Sequence, residues 1–582
     1  MFSLPIELVP LSDGRNLVPF KLAGYAVRIS PVVSAGARKD SNVVTFSASA
    51  QAPSSPDQLP SAVDVVVIGA GHNGLVAAGY LAKAGLRVAV VEAADTPGGM
   101  TASGPLIPEA PGHIVNSCAV DIISMLHSRI PAELELREHG LQLVKPDPSY
   151  VSLHPDGSSL AIWRDNARTA AEIERYSRAD ARAFLEFTDL LDVMIGAILP
   201  VLGVDFGRPD PKALFAGAKV ALKNRKRLGD IAALLTGSAT AATEERFDHP
   251  ITKGALINLA AGAGPVDQPG SGLGFILLAL LGRVGAGRPI GGMQSLTNAL
   301  VASFRTRGGM LATGAAVEEI LHAGRRVRGV RLEGGQVVEA RSVVATCDPW
   351  VTLRQLVGEG VVGRKTAARL DFAPANGTGS GPFKVDMALR AQITALQHTR
   401  PDDVDVRMPT MLIGTEESVR ESYAAAARGE LPDDPAIWVV APSGVDPTQA
   451  PEGQESLYIY SLAAPVHPRE GWDALREPAV DGILAKLGKY IGPLDEAEIG
   501  RLVETPEDLG ARLRVRNGCV THIDMGLMRS GPLRPTIGLG TGKTPLEGLV
   551  LGGSGMHPGG GVTGLPGRAA ATRTERYLKK SG

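Results

Sequence analysis

Three glycines, Gly69, Gly71 and Gly74, stand in GxGxxG spacing directly behind the apolar run Val65, Val66, Val67 and Ile68, and Glu92 follows Gly71 by 21 positions (92 − 71 = 21). That spacing suits a nucleotide diphosphate. The first glycine turns the chain tightly out of a strand, the second lets backbone approach a pyrophosphate, and the third lets a helix pack closely. A carboxylate at position 92 accepts both ribose hydroxyls of an adenosine and repels a 2′-phosphate. A second glycine-rich stretch, GGSGMHPGGGVTGLPG, covers positions 552–567. Its three consecutive glycines, Gly559 to Gly561, let main chain press against a ligand, and the helix start behind it favours electron density.

The surrounding pattern supplies the elements that must hold these turns. The run from Val63 reads as a strand covered on both faces. A helix is predicted over Asn73 to Ala84, closed by Gly85, and a second strand over Arg87 to Val91, ending at Glu92. Gly98 and Gly99, in AADTPGGMT, suit a second pass of the chain near the pyrophosphate. Helical stretches are predicted at Arg168 to Met194, Pro211 to Leu235 and Ser295 to Arg307. Strands follow at Ala315 to Ala323, Arg326 to Leu332, Val337 to Ala340 and Arg341 to Thr346. Residues 375–530 read as a second α+β region, then a strand at Leu549 to Leu551 and a last helix at Pro566 to Lys579.

At 582 residues, two or three domains are expected. A net charge of −2 argues against nucleic acid as a partner. The three cysteines, Cys118, Cys347 and Cys519, form no CxxC pair, which excludes a disulfide framework and adjacent-dithiol chemistry and fits a reducing compartment. No run reaches the ~18 apolar residues of a membrane span. The longest candidate, Val193 to Val204, reads as a buried segment or as one that dips into a membrane surface. Residues 1–60 lack periodicity and end in a Ser, Ala and Pro-rich linker. They read as a disordered extension or a targeting-like segment, with Arg15, Arg28 and Arg38 fitting a presequence and Glu7, Asp13 and Asp40 not.

GAGHNGL at Gly69 to Leu75, the Gly98-Gly99 pair and GSGMHPGGGVTGLPGR at Gly553 to Arg568 resemble the phytoene desaturase superfamily of FAD-dependent oxidoreductases. The branch resembled holds desaturase-type carotene ketolases and the mitochondrial pyridine nucleotide-disulphide oxidoreductase domain-containing proteins. GGMQSLTNAL (Gly291 to Leu300), VVATCDP (Val343 to Pro349) and HIDMGLMRSGPLRPTIG (His522 to Gly538) match the same branch, over about residues 63–580. The resemblance implies an α/β fold: a Rossmann-type FAD-binding domain of a GR2-like flavoprotein with an interleaved α+β substrate domain. The FAD-binding domain would take residues 61–150, 285–370 and 530–582, and the substrate domain 151–284 and 371–529.

The resemblance further implies that FAD meets Gly69, Ala70, Gly71, Asn73 and Gly74, then Glu92 and Ala93, then Gly98, Gly99, Met100 and Thr101. Val317 would meet the adenine through its backbone, and Gly555, Pro558, Gly560, Gly561 and Val562 the isoalloxazine and ribityl. Met100 is a departure, since flavin amine oxidases and many desaturases carry Arg there. No metal is implied.

For the chemistry, Asp524 is a candidate general base, Arg534 a candidate orienter or charge stabiliser, and His557 a candidate acid–base group or a loop-shaping residue. His522 stands beside them. The expected reaction removes hydride or electrons from C–H bonds of a lipophilic, polyene-like substrate. Oxygen or a quinone would accept the electrons, because no second strand-GxGxxG-helix unit is present. A reduced-flavin isomerase and a non-catalytic binding or assembly factor stay open as alternatives. A basic amphipathic stretch, Leu214 to Leu235, suits peripheral contact with anionic lipid or a solvated face. The expected place is the cytoplasm or the membrane periphery of a bacterium, or else the mitochondrial matrix or inner membrane; the oligomeric state is left open.

Overall fold

The computed structural model describes residues 59–398, 400 and 402–581. The extension read from residues 1–60 lies, up to position 58, outside the described residues. In chain order come β1 (Ala62–Ile68), α1 (His72–Lys83), β2 (Val88–Val91), β3 (Tyr150–Leu153), β4 (Ser159–Ile162), α2 (Arg178–Leu202), α3 (Pro211–Lys223), α4 (Leu228–Thr236), α5 (Pro250–Ala261) and α6 (Gln294–Arg305). Next are β5 (Met310–Ala312), β6 (Val317–Ala323), β7 (Arg326–Leu332), β8 (Val337–Ala345), β9 (Ser380–Leu389), β10 (Thr410–Ile413), α7 (Glu416–Ala427) and β11 (Ile437–Val440). The chain continues with β12 (Glu455–Pro465), α8 (Trp472–Leu487), β13 (Glu498–Glu504), α9 (Pro506–Leu513), β14 (Leu549–Leu551) and α10 (Leu565–Ser581), with shorter segments between.

The first sheet has the order β6-β7-β8-β1-β2-β5, and β14 also pairs with β8. β1 lies parallel to β2 and β8, and β14 parallel to β8. Both faces of this sheet are covered, which is why β1 and β2 need continuous apolar runs. On one face Leu75, Val76, Leu296, Leu300, Phe304 and Ala570 bring α1, α6 and α10 onto Val65 and Val67. On the other, Val66, Ile68 and Val91 meet Ile320, Val330 and Leu353.

The second sheet has the order β13-β9-β12-β11-β10-β3-β4. One of its faces packs Phe383, Val385, Met387 and Ile459 under α8 through Val480, Ile483 and Leu487. A helical core around Phe184, Phe187, Phe247 and Phe275, on and near α2, closes the flank. The strands of the first sheet come from residues 62–91, 310–345 and 549–551, and those of the second from residues 150–162 and 380–504.

Three expectations change. The helix expected at Pro211 to Leu235 is two helices, α3 and α4, parted by a turn at Arg225–Arg227. The runs Val337 to Ala340 and Arg341 to Thr346 are one strand, β8. Its first half alternates exposed and buried residues beside β7, and its second half is buried throughout between β1 and β14. The helix expected at Arg168 to Met194 breaks where Ser177 Oγ accepts from the Asp180 N–H and caps α2, which runs on to Leu202. Among the described residues no helix is long and apolar enough to cross a membrane.

Candidate functional site

The first glycine turn is built as its spacing requires. Gly69 sits at φ +96°, and a Cβ there would stand 2.9 Å from Thr346 Oγ1. A Cβ on Gly74 would stand 1.9 Å from the Gly69 carbonyl oxygen, so α1 approaches the turn more closely than any side chain allows. At Gly71 the added atom would meet only the Gly98 carbonyl, at 3.8 Å. Position 71 therefore faces open space. Gly71 is also the N-cap of α1 and offers no side chain to its first amides. Those N–H groups and the helix dipole favour an anion. Glu92 closes the turn from behind: the Ala70 N–H donates to Oε2 at 2.7 Å and the Ala94 N–H to Oε1 at 2.9 Å.

A cavity of about 540 Å3 opens in front of this turn. Of the residues singled out in the sequence, Gly69, Gly71, Asn73, Gly74, Glu92, Ala93, Gly99, Met100 and Val317 line it. Ala70, Gly98 and Thr101 stand one layer back: the Gly98 N–H donates to the Ala70 carbonyl at 3.0 Å, and Thr101 Oγ1 to the Gly98 carbonyl at 2.9 Å. Three lining residues leave buried polar atoms without partners: His72 Nε2, Asn73 Oδ1 and His522 Nδ1. A buried polar atom left unpaired costs about 1–3 kcal/mol. A ligand rich in donors and acceptors relieves that cost, and a dinucleotide is such a ligand.

The two glycine-rich segments meet. Asn73 Nδ2 donates to Ser554 Oγ at 3.4 Å, and a Cβ on Gly567 would stand 2.0 Å from the Asn73 carbonyl oxygen. The ligand contacts expected of the second segment stand, all of them, off the cavity wall. Ser554 lines the cavity, whereas Gly555, Pro558, Gly560, Gly561 and Val562 do not. Their neighbours are protein: a Cβ on Gly560 would lie 2.5 Å from Thr521 Cγ2, and one on Gly555 would lie 2.4 Å from Pro349. The glycines here let two chain segments close on each other.

Of the three catalytic candidates, Asp524 lines a second cavity described below, whereas Arg534 and His557 line neither. Arg534 is fully buried, and its guanidinium donates to the carbonyls of Thr521, Ile523, Asp524, Arg529 and Ser554. It pins the loop and has nothing left for a substrate. Asp524 accepts the Asn376 N–H at 2.6 Å and the Gly377 N–H at 3.0 Å, one on each carboxylate oxygen. His557 accepts the Gly531 N–H at Nδ1 and faces the Val201 carbonyl from Nε2 at 3.2 Å. Burial pushes its pKa down to about 4, so it is a neutral brace.

His522, named in the sequence beside the other candidates, and His72, which sequence reasoning missed, face the cavity, and burial lowers both pKa values to about 4. Thr346 Oγ1 donates to the Ile68 carbonyl at 2.9 Å. A second cavity of about 170 Å3 is lined by Tyr423, Tyr460, Leu462, Thr521, Asp524 and Met525; its Thr521 is the chain neighbour of His522 on the first. On the same sheet face as Tyr460 lie Lys384 and Asp386, a fully buried ion pair. Lys384 Nζ also stands 4.6 Å from the Tyr458 ring centroid, and the Tyr458 hydroxyl donates to the Cys118 carbonyl at 2.6 Å, beside cavity-lining Ser117. Burial raises the Asp386 pKa to about 6 against the pull of Lys384, and Asp386 Oδ1 has no partner. Cys118, Cys347 and Cys519 are free thiols with pKa raised to about 11 by burial.

Comparison with known proteins agrees with this geometry. The family described as flavin containing amine oxidoreductase matches residues 74–376. The chain is 30% identical to the Mus musculus protein named pyridine nucleotide-disulfide oxidoreductase domain-containing protein 2, over 90% of this chain and 95% of that one. It is 26% identical to the zeta-carotene-forming phytoene desaturase of Myxococcus xanthus, over 88% and 93%. Among solved structures, an oxidoreductase from Methanosarcina mazei superposes with a TM-score of 0.56 at 16% identity, covering 88% of this chain and all (100%) of that one.

Proposed function

Because the chain belongs to the flavin-containing amine oxidoreductase family and is an FAD-dependent oxidoreductase, we propose that it removes hydrogen from C–H bonds of a lipophilic, polyene-like substrate. The observation that carries this reading is that consecutive residues line two cavities, His522 the larger at the dinucleotide turn and Thr521 the smaller, where Tyr423, Tyr460, Leu462 and Met525 stand beside Asn376, Ser380 and Asp524. Its apolar part suits a stretch of hydrocarbon chain and its few polar groups suit orientation.

FAD, when bound, supplies the acceptor for one hydrogen and its electron pair. The neighbouring hydrogen leaves as a proton, and Asp524, a carboxylate lining the smaller cavity, is placed to take it. His72 and His522, neutral at physiological pH, orient rather than protonate. The 521–525 segment packs directly on the glycine loop, Met525 at Gly559 and Thr521 at Gly560. The electrons pass on to oxygen or a quinone.

Access from a lipid surface fits the exterior of α3 and α4. Phe215 is 70% and Leu222 67% exposed, with Leu214 and Leu228 nearby, among Lys212, Lys219, Lys223, Arg225, Lys226 and Arg227. Exposed aromatic and leucine side chains beside clustered cations suit the periphery of an anionic membrane. The test is anaerobic incubation of the holoprotein with polyenes in vesicles, following flavin bleaching and product mass together. Bleaching with a product two hydrogens lighter is expected. Bleaching by primary amines alone would overturn the substrate class, and product of unchanged mass would mean isomerisation.

A further inference from the structure

A dinucleotide diphosphate brings two negative charges into a cavity whose first turn has only partial charge to offer. The amide groups heading α1 amount to roughly half a unit charge. Glu92, on the same wall, is negative. Met100 is apolar, and the two lining histidines are neutral. Among the described lining residues, only Arg512 and Arg514 carry full positive charge. Both belong to the end of α9, which hangs from β13 at the edge of the second sheet, so they reach the nucleotide turn from the opposite layer.

Their surroundings differ. Arg514 is more than half exposed and lies 3.7 Å from an exposed Glu333. Arg512 is held. Its Nε and Nη2 donate to Glu504 at 2.5 and 3.0 Å, and Nη2 also donates to the Ser117 carbonyl at 3.1 Å. Ser117 in turn is fastened to the second glycine turn, its Oγ donating to the Ala102 carbonyl at 2.9 Å and lying 3.4 Å from the Gly99 carbonyl. Gly98 bridges to Gly71, the residue that faces open space. The guanidinium is therefore fixed beside the place where the diphosphate must lie. Among the described residues its Nη1 has no hydrogen-bond partner. A capping box between Thr505 and Asp508 fixes the helix that carries it.

We infer that Arg512 is the diphosphate-binding cation of this chain, reaching across from the second sheet through Nη1 to the dinucleotide held by the first. The inference rests on the FAD assignment and adds a residue to it. A planar guanidinium with one edge on a carboxylate keeps its other N–H groups aimed and rigid, as recognition of phosphate oxygens requires. Bound FAD would then fasten the two sheets together, because one of its charge partners belongs to each.

The test is FAD titration of apoprotein by flavin fluorescence, for wild type, R512Q, R512K, R514Q and E504Q. R512Q should weaken FAD binding by about tenfold or more. R512K should fall between R512Q and wild type, since it keeps the charge and loses the fork. E504Q should weaken FAD binding clearly less than R512Q, because it keeps the cation and loses only part of its aim. Equal weakening by R512Q and E504Q would mean that the pair only supports the fold, and would overturn the assignment. So would a loss confined to R514Q, or an R512Q constant within twofold of wild type. A wild-type chain that took up no FAD would instead sink the cofactor assignment, a separate failure.

Discussion

Asn73, in the first turn of α1, donates to Ser554, in the second glycine-rich segment, across 481 positions of sequence. That bond joins two glycine turns that share one wall of a cavity. The neighbouring glycines do different work, and substitution separates them.

Alanine at Gly74 would place its Cβ 1.9 Å from the Gly69 carbonyl oxygen, whereas alanine at Gly71 meets nothing closer than 3.8 Å. G74A should lower apoprotein stability by about 1–3 kcal/mol or more, as overpacking does. G71A should leave apoprotein melting unchanged and weaken FAD by about tenfold or more, because its methyl fills ligand space. Melting curves with and without FAD distinguish them. Equal loss of apoprotein stability in both variants would contradict this division.

Arg534 holds five carbonyls and faces no cavity. R534M should cost at least about 3 kcal/mol of stability, since it leaves several buried carbonyls unpaired at about 1–3 kcal/mol each. Denaturant unfolding measures it. A folded R534M of wild-type stability with slowed turnover would restore the catalytic reading.

Asp524 lines the smaller cavity while accepting one backbone N–H on each oxygen. D524N should lose at least about a hundredfold in kcat, within the usual contribution of a general base, while FAD affinity stays unchanged. A D524N variant of wild-type kcat would remove Asp524 from the reaction.

His72, His522 and His557 stay neutral in the fold, with pKa values near 4 against 6.5 for the free side chain. The unfolded chain takes up their protons first, so the stability they contribute is complete above pH 6.5 and is lost as pH falls toward 4. Each contributes at most about 1.4 kcal/mol per pH unit, so three give a slope of at most about 4. Asp386, with its pKa raised, acts the other way over part of that range, and one group does not offset three. Apoprotein melting temperature should fall steeply from pH 6.5 to pH 4.5, and H557Q should flatten the slope.

The exposed apolar and basic side chains of α3 should bind vesicles containing anionic lipid. F215E/L222E should reduce co-sedimentation by about tenfold, and raised salt should weaken the wild type through screening. Neutral vesicles binding equally well would remove the electrostatic part of the argument.

The β1-α1-β2 unit was legible because its requirements are local: Val65 to Ile68 are buried on both faces, and Gly69 and Gly74 have no room for side chains. β8 was read as two strands because its pattern changes where its partner changes, and partners at positions 62 and 549 are remote. Asp524, Arg534 and His557 attracted attention as polar groups close to glycines. For Arg534 and His557, a sequence does not show that their polar atoms are spent on backbone. Lys384 and Asp386 drew no notice, since only the fold shows that both faces of their strand are buried. Arg512 gave no signal, since its importance comes only from which cavity the end of α9 reaches.

β14 completes the first sheet beside β8, yet β1 leaves the ribosome nearly five hundred residues earlier. The growing polypeptide must therefore wait, with β8 unpaired along one edge, until Leu549 to Leu551 emerge. Cofactor capture is thus a late event in biogenesis, and a stop codon anywhere before position 549 should yield a colourless, chaperone-bound fragment instead of a weakened enzyme.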